Sequence, residues 1–302
     1  GMDRKGEINK LAKMIKPDVS VITNISYAHI KNFKNINGIA NAKSEIIDQT
    51  VNDGYVILNR DDKFYNLLFN KANRQKKKIV TIGQHNNSHI RLINRKKIQR
   101  YTELNIKIFD QTKKFVINDY LLPYLDNILF TIAIISIFFD VSIINKNIFL
   151  NFKLPDGRGN KIKIKIKKGF VNVIDESYNS NPLSLSFSVK KFENIKVKKS
   201  FKKIILGDML ELGKFSKSLH IDAGRILSKT NVDKVYVYGK KIIHTFNNLK
   251  AKKKGKKFKS KKEIKDFIYN ELNNGDYLMI KGSNSTGLNK IVKEMSVKNN
   301  AL

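Results

Sequence analysis

Cysteine is absent from the 302 residues. That excludes a disulfide framework, a Cys-ligated zinc site and a cysteine nucleophile. Acidic residues are scarce: 26 Asp+Glu stand against 59 Lys+Arg, a formal net charge of +33. A membrane-spanning helix needs about 20 apolar residues. The longest apolar run, Ile128 to Phe139, is 12 residues with Thr131 and Ser136 inside it, and it is expected to form a buried helix. No secretory signal pattern and no internal repeat is visible. Two phosphate-binding signatures are missing as well. A P-loop needs G-x-x-x-x-G-K-[ST] so that backbone N–H groups and a lysine hold the phosphates. The nearest stretch, Gly207 to Phe215, is one residue too long and puts Phe215 where a magnesium-binding hydroxyl belongs. There is no G-x-G-x-x-G.

The chain does hold enough apolar material, 41%, to build real cores, which excludes a wholly disordered basic tail. At roughly 150 residues per domain, its length suggests two domains. The positive charge admits two readings. One is a basic α/β protein that binds nucleic acid. The other, which the positions favour, is a lysine-rich bias spread over an ordinary protein. Lys161, Lys163, Lys165 and Lys167 alternate with Ile162, Ile164 and Ile166, the solvent face of a half-buried strand. Lys252 to Lys262 reads as a linker-like cluster, and no Gly/aromatic RNA-binding signature accompanies it.

Periodicity places a strand over 18–24 and a helix over about 38–51, with Ile39, Ala42, Ile46 and Ile47 on one face. A second strand covers 55–58, and Asn59-Arg60-Asp61-Asp62 is expected to cap the next helix. Short strands follow at 79–82, 90–93, 104–109 and 115–117, then the apolar helix from about 126. Pro155-Asp156-Gly157-Arg158-Gly159-Asn160 is the strongest breaker cluster, and the domain boundary is placed there. Beyond it, strands at 170–174, 203–206, 234–237 and 277–280 alternate with helices at 184–192, 216–228, 261–272 and 286–296. That alternation predicts a parallel α/β sheet with right-handed crossovers.

Ligands of open α/β sheets bind at the carboxyl ends of strands. Polar clusters fall at four such ends: Thr23-Asn24 with His29, Asp175 to Asn179, Gly207-Asp208, and Lys281-Gly282-Ser283. Four polar strand ends together make a site a stronger reading than any one of them does.

The ordered motifs resemble the Mur ligases. The matching residues are Gly1-Met2-Asp3, Gly6-Glu7-Ile8, Pro17-Asp18, Thr23-Asn24-Ile25, Ala28-His29, Ala42-Lys43-Ser44-Glu45-Ile46 and Asn59-Arg60-Asp61-Asp62. They continue with Gly157-Arg158-Gly159, Ile174 to Pro182, Leu206 to Gly213, His220, Gly224 and Lys281-Gly282-Ser283. Within the family, Asp-Glu-Ser-Tyr-Asn and Gly-Asp-Met-Leu-Glu-Leu-Gly resemble the member that adds D-alanyl-D-alanine to UDP-N-acetylmuramoyl-tripeptide. They speak against a sibling such as folylpolyglutamate synthase.

The resemblance implies an α/β fold, with the remainder of a central ATPase domain over 1–156 and a Rossmann-like C-terminal ligase domain over 157–302. It implies an ATP-dependent amide ligase of peptidoglycan precursor synthesis that works through an acyl phosphate, with ATP and Mg2+. A cytoplasmic monomer is expected, without membrane or nucleic-acid partners. Family members begin with a UDP-binding domain, a P-loop and a magnesium-binding Glu. None of these is in the chain, which is therefore expected to be a piece that is inactive alone.

Residue by residue, the resemblance implies that His29 and a carbamylated Lys43 hold magnesium, Lys43 being the catalytic group. Taken alone, Lys43 reads as a solvated helix lysine and His29 as a structural histidine. Asn24, Asn127, Arg158 and Glu176 match ATP-binding positions. Asn127 otherwise reads as a helix-start residue, Arg158 as a linker arginine and Glu176 as a helix-capping carboxylate. Asn179, Asn181, Asp208 and Lys281 match substrate-binding positions. The first three read equally as turn and cap chemistry, and Lys281 as a strand end.

Overall fold

The computed structural model describes residues 2–197 and 201–300, with side chains described up to residue 296. Gly1 and Leu302, the outer limits of the two expected domains, lie outside the described residues. The chain divides into two compact units, Gly1–Lys153 and Leu154–Leu302.

The first unit runs α1 (Glu7–Ile15), β1 (Val19–Ile22), α2 (Ile36–Gln49), β2 (Tyr55–Asn59), α3 (Tyr65–Arg74), β3 (Lys78–Ile82), β4 (Ile90–Ile98), β5 (Tyr101–Ile108), β6 (Gln111–Asn118) and α4 (Leu125–Phe138). Its strands form one sheet in the order β1-β2-β3-β4-β5-β6. The first four are parallel and the last two add as antiparallel hairpins. The hairpin strands are longer than their apolar cores suggested. Alternate residues Thr102, Leu104, Ile106 and Ile108 are buried, and the ladder carries the polar residues between them.

Two expectations are corrected in this unit. Asn59 to Asp62 do not cap α3, which starts at Tyr65 after Phe64 with no side-chain cap. Asp62 instead accepts hydrogen bonds from the N–H of Phe64 (2.8 Å) and of Ile25 (3.0 Å), so it ties two loops together. The apolar helix α4 is buried on one side only. Ile128, Leu129, Ile132 and Ala133 are buried, whereas Phe138 and Phe139 are exposed. With the 3₁₀ turn before it, the helical stretch Asp119–Phe138 has 20 residues, long and apolar enough by length and composition to cross a membrane.

The second unit runs β7 (Asn160–Ile166), β8 (Gly169–Glu176), α5 (Pro182–Glu193), β9 (Lys202–Gly207), α6 (Ser216–Lys229), β10 (Lys234–Tyr238), α7 (Ile243–Asn247), β11 (Lys254–Phe258), α8 (Lys261–Glu271), β12 (Tyr277–Lys281) and α9 (Leu288–Asn300). The sheet order is β11-β10-β9-β12-β8-β7. All pairs are parallel except β7–β8, a hairpin that gives the parallel sheet an antiparallel edge. On that edge Lys161, Lys163 and Lys165 face solvent while Ile164 and Ile166 join the core. Edge lysines also discourage pairing with another sheet.

The supposed linker at 252–262 is a correction. It forms β11 and the first turn of α8. Phe258 packs its ring against Tyr236 and Phe267, at centroid distances of 5.8 and 5.3 Å. Lys253 is buried, and its amine donates to the carbonyls of Thr230 (2.7 Å) and Val232 (2.6 Å). A run of lysines hides a strand because each long stem can cover apolar surface while its amine reaches solvent or a carbonyl.

Lys253→Ala should therefore destabilise the chain by about 1–3 kcal/mol, since it orphans two carbonyls. Exposed Lys252→Ala should change stability by less than about 0.5 kcal/mol. Urea unfolding of the two variants checks this, and equal effects would return Lys253 to the status of a linker residue.

Candidate active site

In the first unit, β1 ends in Thr23-Asn24 and delivers Asn24 beside α2. Lys43, half-buried on α2, donates from its amine to the Asn24 carbonyl at 2.7 Å. Burial lowers the Lys43 pKa, and the nearby Asp62 carboxylate pushes it back up. Asn24-Ile25 is thus held from both sides, by Lys43 at the carbonyl and by Asp62 at the next N–H. Asp62 stands beside Lys43 and Asn24, although sequence reasoning took it for a helix cap. Its place after a strand end, beside a second Asp, was the available signal.

His29 sits in the left-handed region at φ 60°, with Nδ1 3.5 Å from the Asp3 carboxylate. Glu45 explains how Asp3 comes to be there. It is buried on α2 and accepts from the N–H groups of Gly6 (2.9 Å) and Asn9 (3.1 Å), which fastens the start of α1 to α2. An open cavity of about 360 Å³ lies alongside, lined by Leu11, Ala12, Val21, Ile22 and Ile46, with Thr23 and Lys43 as its polar lining. Asn127 stands in the first turn of α4 with its side chain exposed.

In the second unit the strand ends converge. Lys281, 2% exposed at the end of β12, donates to the Asn179 carbonyl at 3.0 Å and stands 3.9 Å from Glu176. Lys191 of α5 stands 3.9 Å from the other oxygen of Glu176. Ser283 stitches two more loops to the same point. Its N–H donates to the Asp208 carbonyl (3.0 Å), its hydroxyl accepts from the Leu210 N–H (2.8 Å), and it donates to the Ser180 carbonyl (3.3 Å). Arg158 lies over the Tyr178 ring, 4.2 Å from its centroid.

Two candidate substrate residues have structural work. Asn181 caps α5, accepting from the Ser184 N–H (2.8 Å) while the Ser184 hydroxyl accepts from the Asn181 N–H (3.0 Å). The Asp208 carboxylate accepts from the N–H groups of Ile242 (2.7 Å) and Lys240 (3.3 Å). Gly239 is held at φ 132° against it, where any Cβ would meet Asp208 Oδ1 at 2.4 Å. His220 is buried, with Nδ1 2.7 Å from the Ser216 carbonyl and Nε2 accepting from the Met209 N–H (3.3 Å). Burial lowers its pKa, as this neutral arrangement requires. Lys191 escaped sequence reasoning, because nothing in Lys190-Lys191 says which of the two turns inward.

Residues 1–133 match the Mur ligase middle domain, and residues 157–284 match the Mur ligase, glutamate ligase domain. The chain belongs to the Mur ligases. It is 28% identical over 302 residues to the UDP-N-acetylmuramoyl-tripeptide–D-alanyl-D-alanine ligase of Bacillus subtilis, covering 98% of this chain and 63% of that relative. The enzyme of the same name from Rickettsia prowazekii is 28% identical over 299 residues, covering 97% and 64%. The fold matches MurF from Acinetobacter baumannii with a TM-score of 0.84 at 22% identity, over 98% of this chain and 63% of that one. It also matches the Thermotoga maritima MurF ligase in complex with ADP, with a TM-score of 0.78 at 22% identity over 97% and 65%. The chain thus spans a little under two thirds of the length of these Mur ligases.

The buried amine of this Mur ligase chain gives a signed pH prediction. Burial brings the Lys281 pKa down to about 8, with Glu176 opposing and Arg158 adding to the fall, from an ordinary 10.5. Between those values the unfolded chain binds more protons than the folded one, so this residue's contribution to stability rises with pH across that window. Charged Lys281 costs stability below it. In paired thermal melts from pH 7 to 10, wild type should gain on Lys281→Met as pH climbs through about 8. A constant difference would mean that the amine titrates alike in both states.

Proposed function

We propose that this chain is the acceptor-binding and part of the ATP-binding portion of a cytoplasmic enzyme that joins D-alanyl-D-alanine to UDP-N-acetylmuramoyl-tripeptide in peptidoglycan precursor synthesis. The observation that carries this reading is the match, over nearly the whole chain, to relatives bearing that name. The domain assignment is residues 1–156 to the central ATP-binding domain and 157–302 to the ligase domain.

In the proposed reaction a carboxylate oxygen of the tripeptide attacks the γ-phosphorus of ATP, and ADP leaves. The amine of D-alanyl-D-alanine then attacks the carbonyl of the acyl phosphate, inorganic phosphate leaves, and the amine nitrogen gives up a proton. Lys43 suits the role of a carbamate. Its amine is partly withdrawn from water, and a lowered pKa favours the unprotonated form that can take up CO2 and lose a proton. The donors also suit magnesium. The His29 ring and the Asp3 carboxylate lie 3.5 Å apart, and a carbamate on Lys43 would add the oxygen that a hard cation prefers. Held by these residues, the ion would supply charge neutralisation on the transferring phosphoryl group.

Asn24, Asn127, Arg158 and Glu176 are the proposed contacts to ATP. Lys281 orders the loop after β8 through the Asn179 carbonyl and Asn181 caps the helix that follows it, while Asp208 shapes the loop after β10; these are the proposed substrate-facing loops. The 302 residues hold no P-loop, so the chain assayed alone with ATP and both substrates should release no phosphate above background. A chimera in which it replaces the matched part of the Bacillus subtilis relative should form product. There Lys43→Ala should lower turnover on the order of a hundredfold or more, with a cooperative melting transition retained. Near-normal turnover in that variant would make Lys43 an ordinary helix lysine.

A further inference from the structure

β6 ends the order of strands in the first sheet, and the chain returns after α4 to run along it. The Lys113 amine donates to the carbonyls of Val141 (2.5 Å) and Ser142 (2.6 Å). Further along, the Val116 N–H donates to the Lys146 carbonyl (2.8 Å), the Asn118 side chain to that of Leu150 (2.7 Å) and the Tyr120 hydroxyl to that of Phe152 (2.6 Å). Fastened along its length, this segment sorts its apolar residues into two sets. Val141, Ile144 and Phe149 are buried, the Phe149 ring 6.0 Å from that of Phe115. Ile143, Ile148 and Phe152 are exposed, Ile143 to 69%. Phe138 and Phe139, where α4 ends, are exposed as well.

Three features say what would cover this ridge. The first is its composition: large apolar side chains exposed in one short stretch are costly in water and mark a contact surface. The second is charge. Between residues 138 and 153 the single acid is Asp140, which accepts from the Ser142 N–H (2.6 Å). Lys146 and Lys153 are exposed and interleave with the apolar residues. A second copy of the chain, also at +33, is repelled from such a surface, whereas an anionic one is attracted. The third is shape. The segment follows β6 from Lys113 to Tyr120, about 23 Å at the rise of a strand, so its exposed residues form a line. Phenylalanine and isoleucine tips in a line can enter the acyl boundary of a lipid leaflet, while long lysine stems carry their amines up to the headgroup phosphates. The contact is with the surface of a bilayer, because Ile128, Leu129, Ile132 and Ala133 hold α4 in the core of the first unit and prevent it from spanning.

We propose that the ridge over 138–152 docks the protein on an anionic lipid leaflet, with Phe139, Ile143, Ile148 and Phe152 in the headgroup–acyl boundary and Lys146 and Lys153 on lipid phosphates. The inference goes beyond the functional reading above and does not depend on it. The net charge draws the chain to the bilayer, and the ridge decides which side of it makes contact.

The chain contains no tryptophan, so a single introduced indole reports only its own surroundings. Ile143→Trp places one on the ridge, and Ile226→Trp places one at an exposed position of α6 in the second unit. Each intact chain is mixed with vesicles of phosphatidylglycerol and phosphatidylcholine in equal parts. The emission of Ile143→Trp should move to the blue and be quenched by lipids brominated on the acyl chain, and that of Ile226→Trp should stay unchanged. In flotation with the same vesicles, the double variant Phe139→Ser/Phe152→Ser, which keeps every charge, should bind at least tenfold more weakly than wild type. Vesicles of phosphatidylcholine alone should also hold wild type at least tenfold more weakly. Absence of binding to the mixed vesicles would overturn the proposal. So would equal shifts of the two indoles, or a folded double variant that binds like wild type, since either means that charge alone attaches the chain. If the double variant does not fold, the two indole variants decide. A dimer in sedimentation equilibrium that the double variant abolishes would assign the ridge to a second copy and overturn the lipid reading.

Discussion

A buried ammonium ion is tolerated only where its protons and its charge are met, and in the second unit that requirement falls on Lys281. The amine reaches the Asn179 carbonyl and the Glu176 carboxylate, so the loop after β8 must lie against the end of β12. Gly282 allows this closeness, since a Cβ there would stand 3.0 Å from the Gly207 Cα. Ser283 then fastens the loop after β9. Three residues in a row thus bind three strand-end loops into one surface. The residues proposed to meet substrate are carried on loops whose shape is set from beneath, which is how irregular backbone acquires the rigidity that binding needs.

The first unit solves a related problem with a looser fit. Lys43 is half-buried and has one carbonyl partner at 2.7 Å, with Asp62 near enough to act through its charge. An amine so placed is open to chemistry in a way that Lys281 is not. The lysines of this chain therefore fall into distinct physical classes. Lys161, Lys163 and Lys165 are solvated edge residues, Lys253 clamps two carbonyls, Lys281 organises loops, and Lys43 is poised at a strand end. The high net charge is the sum of these separate roles.

The alternation of β8 gives the second unit two polar surfaces from adjacent residues. Glu176 is committed to Lys191 and Lys281 on one face, and Asp175 opens onto a cavity on the other. A strand end that serves both faces lets one short motif, Asp-Glu-Ser-Tyr-Asn, contribute to two environments without competition for the same space.

Much of this was legible from the chain alone. The β-α alternation, the breaker cluster near Pro155 and the polar strand ends all rest on local rules of periodicity and turn chemistry, which need no knowledge of distant residues. So did the resemblance to the Mur ligases, because ordered motifs survive in sequence. What needed the folded chain were partners far apart in sequence. Asp62 looked like a helix cap until Ile25 came to its carboxylate, 37 residues away along the chain. Lys253 looked like linker until β11 paired with β10 and turned its amine inward. Lys191 was one lysine among 51 until α5 packed it over Glu176. Composition and spacing determine which segments become strands and helices, since those choices are made within a few residues. Which lysine is buried and which carboxylate it meets is a matter of long-range packing, decided only when separate strands and helices share one sheet.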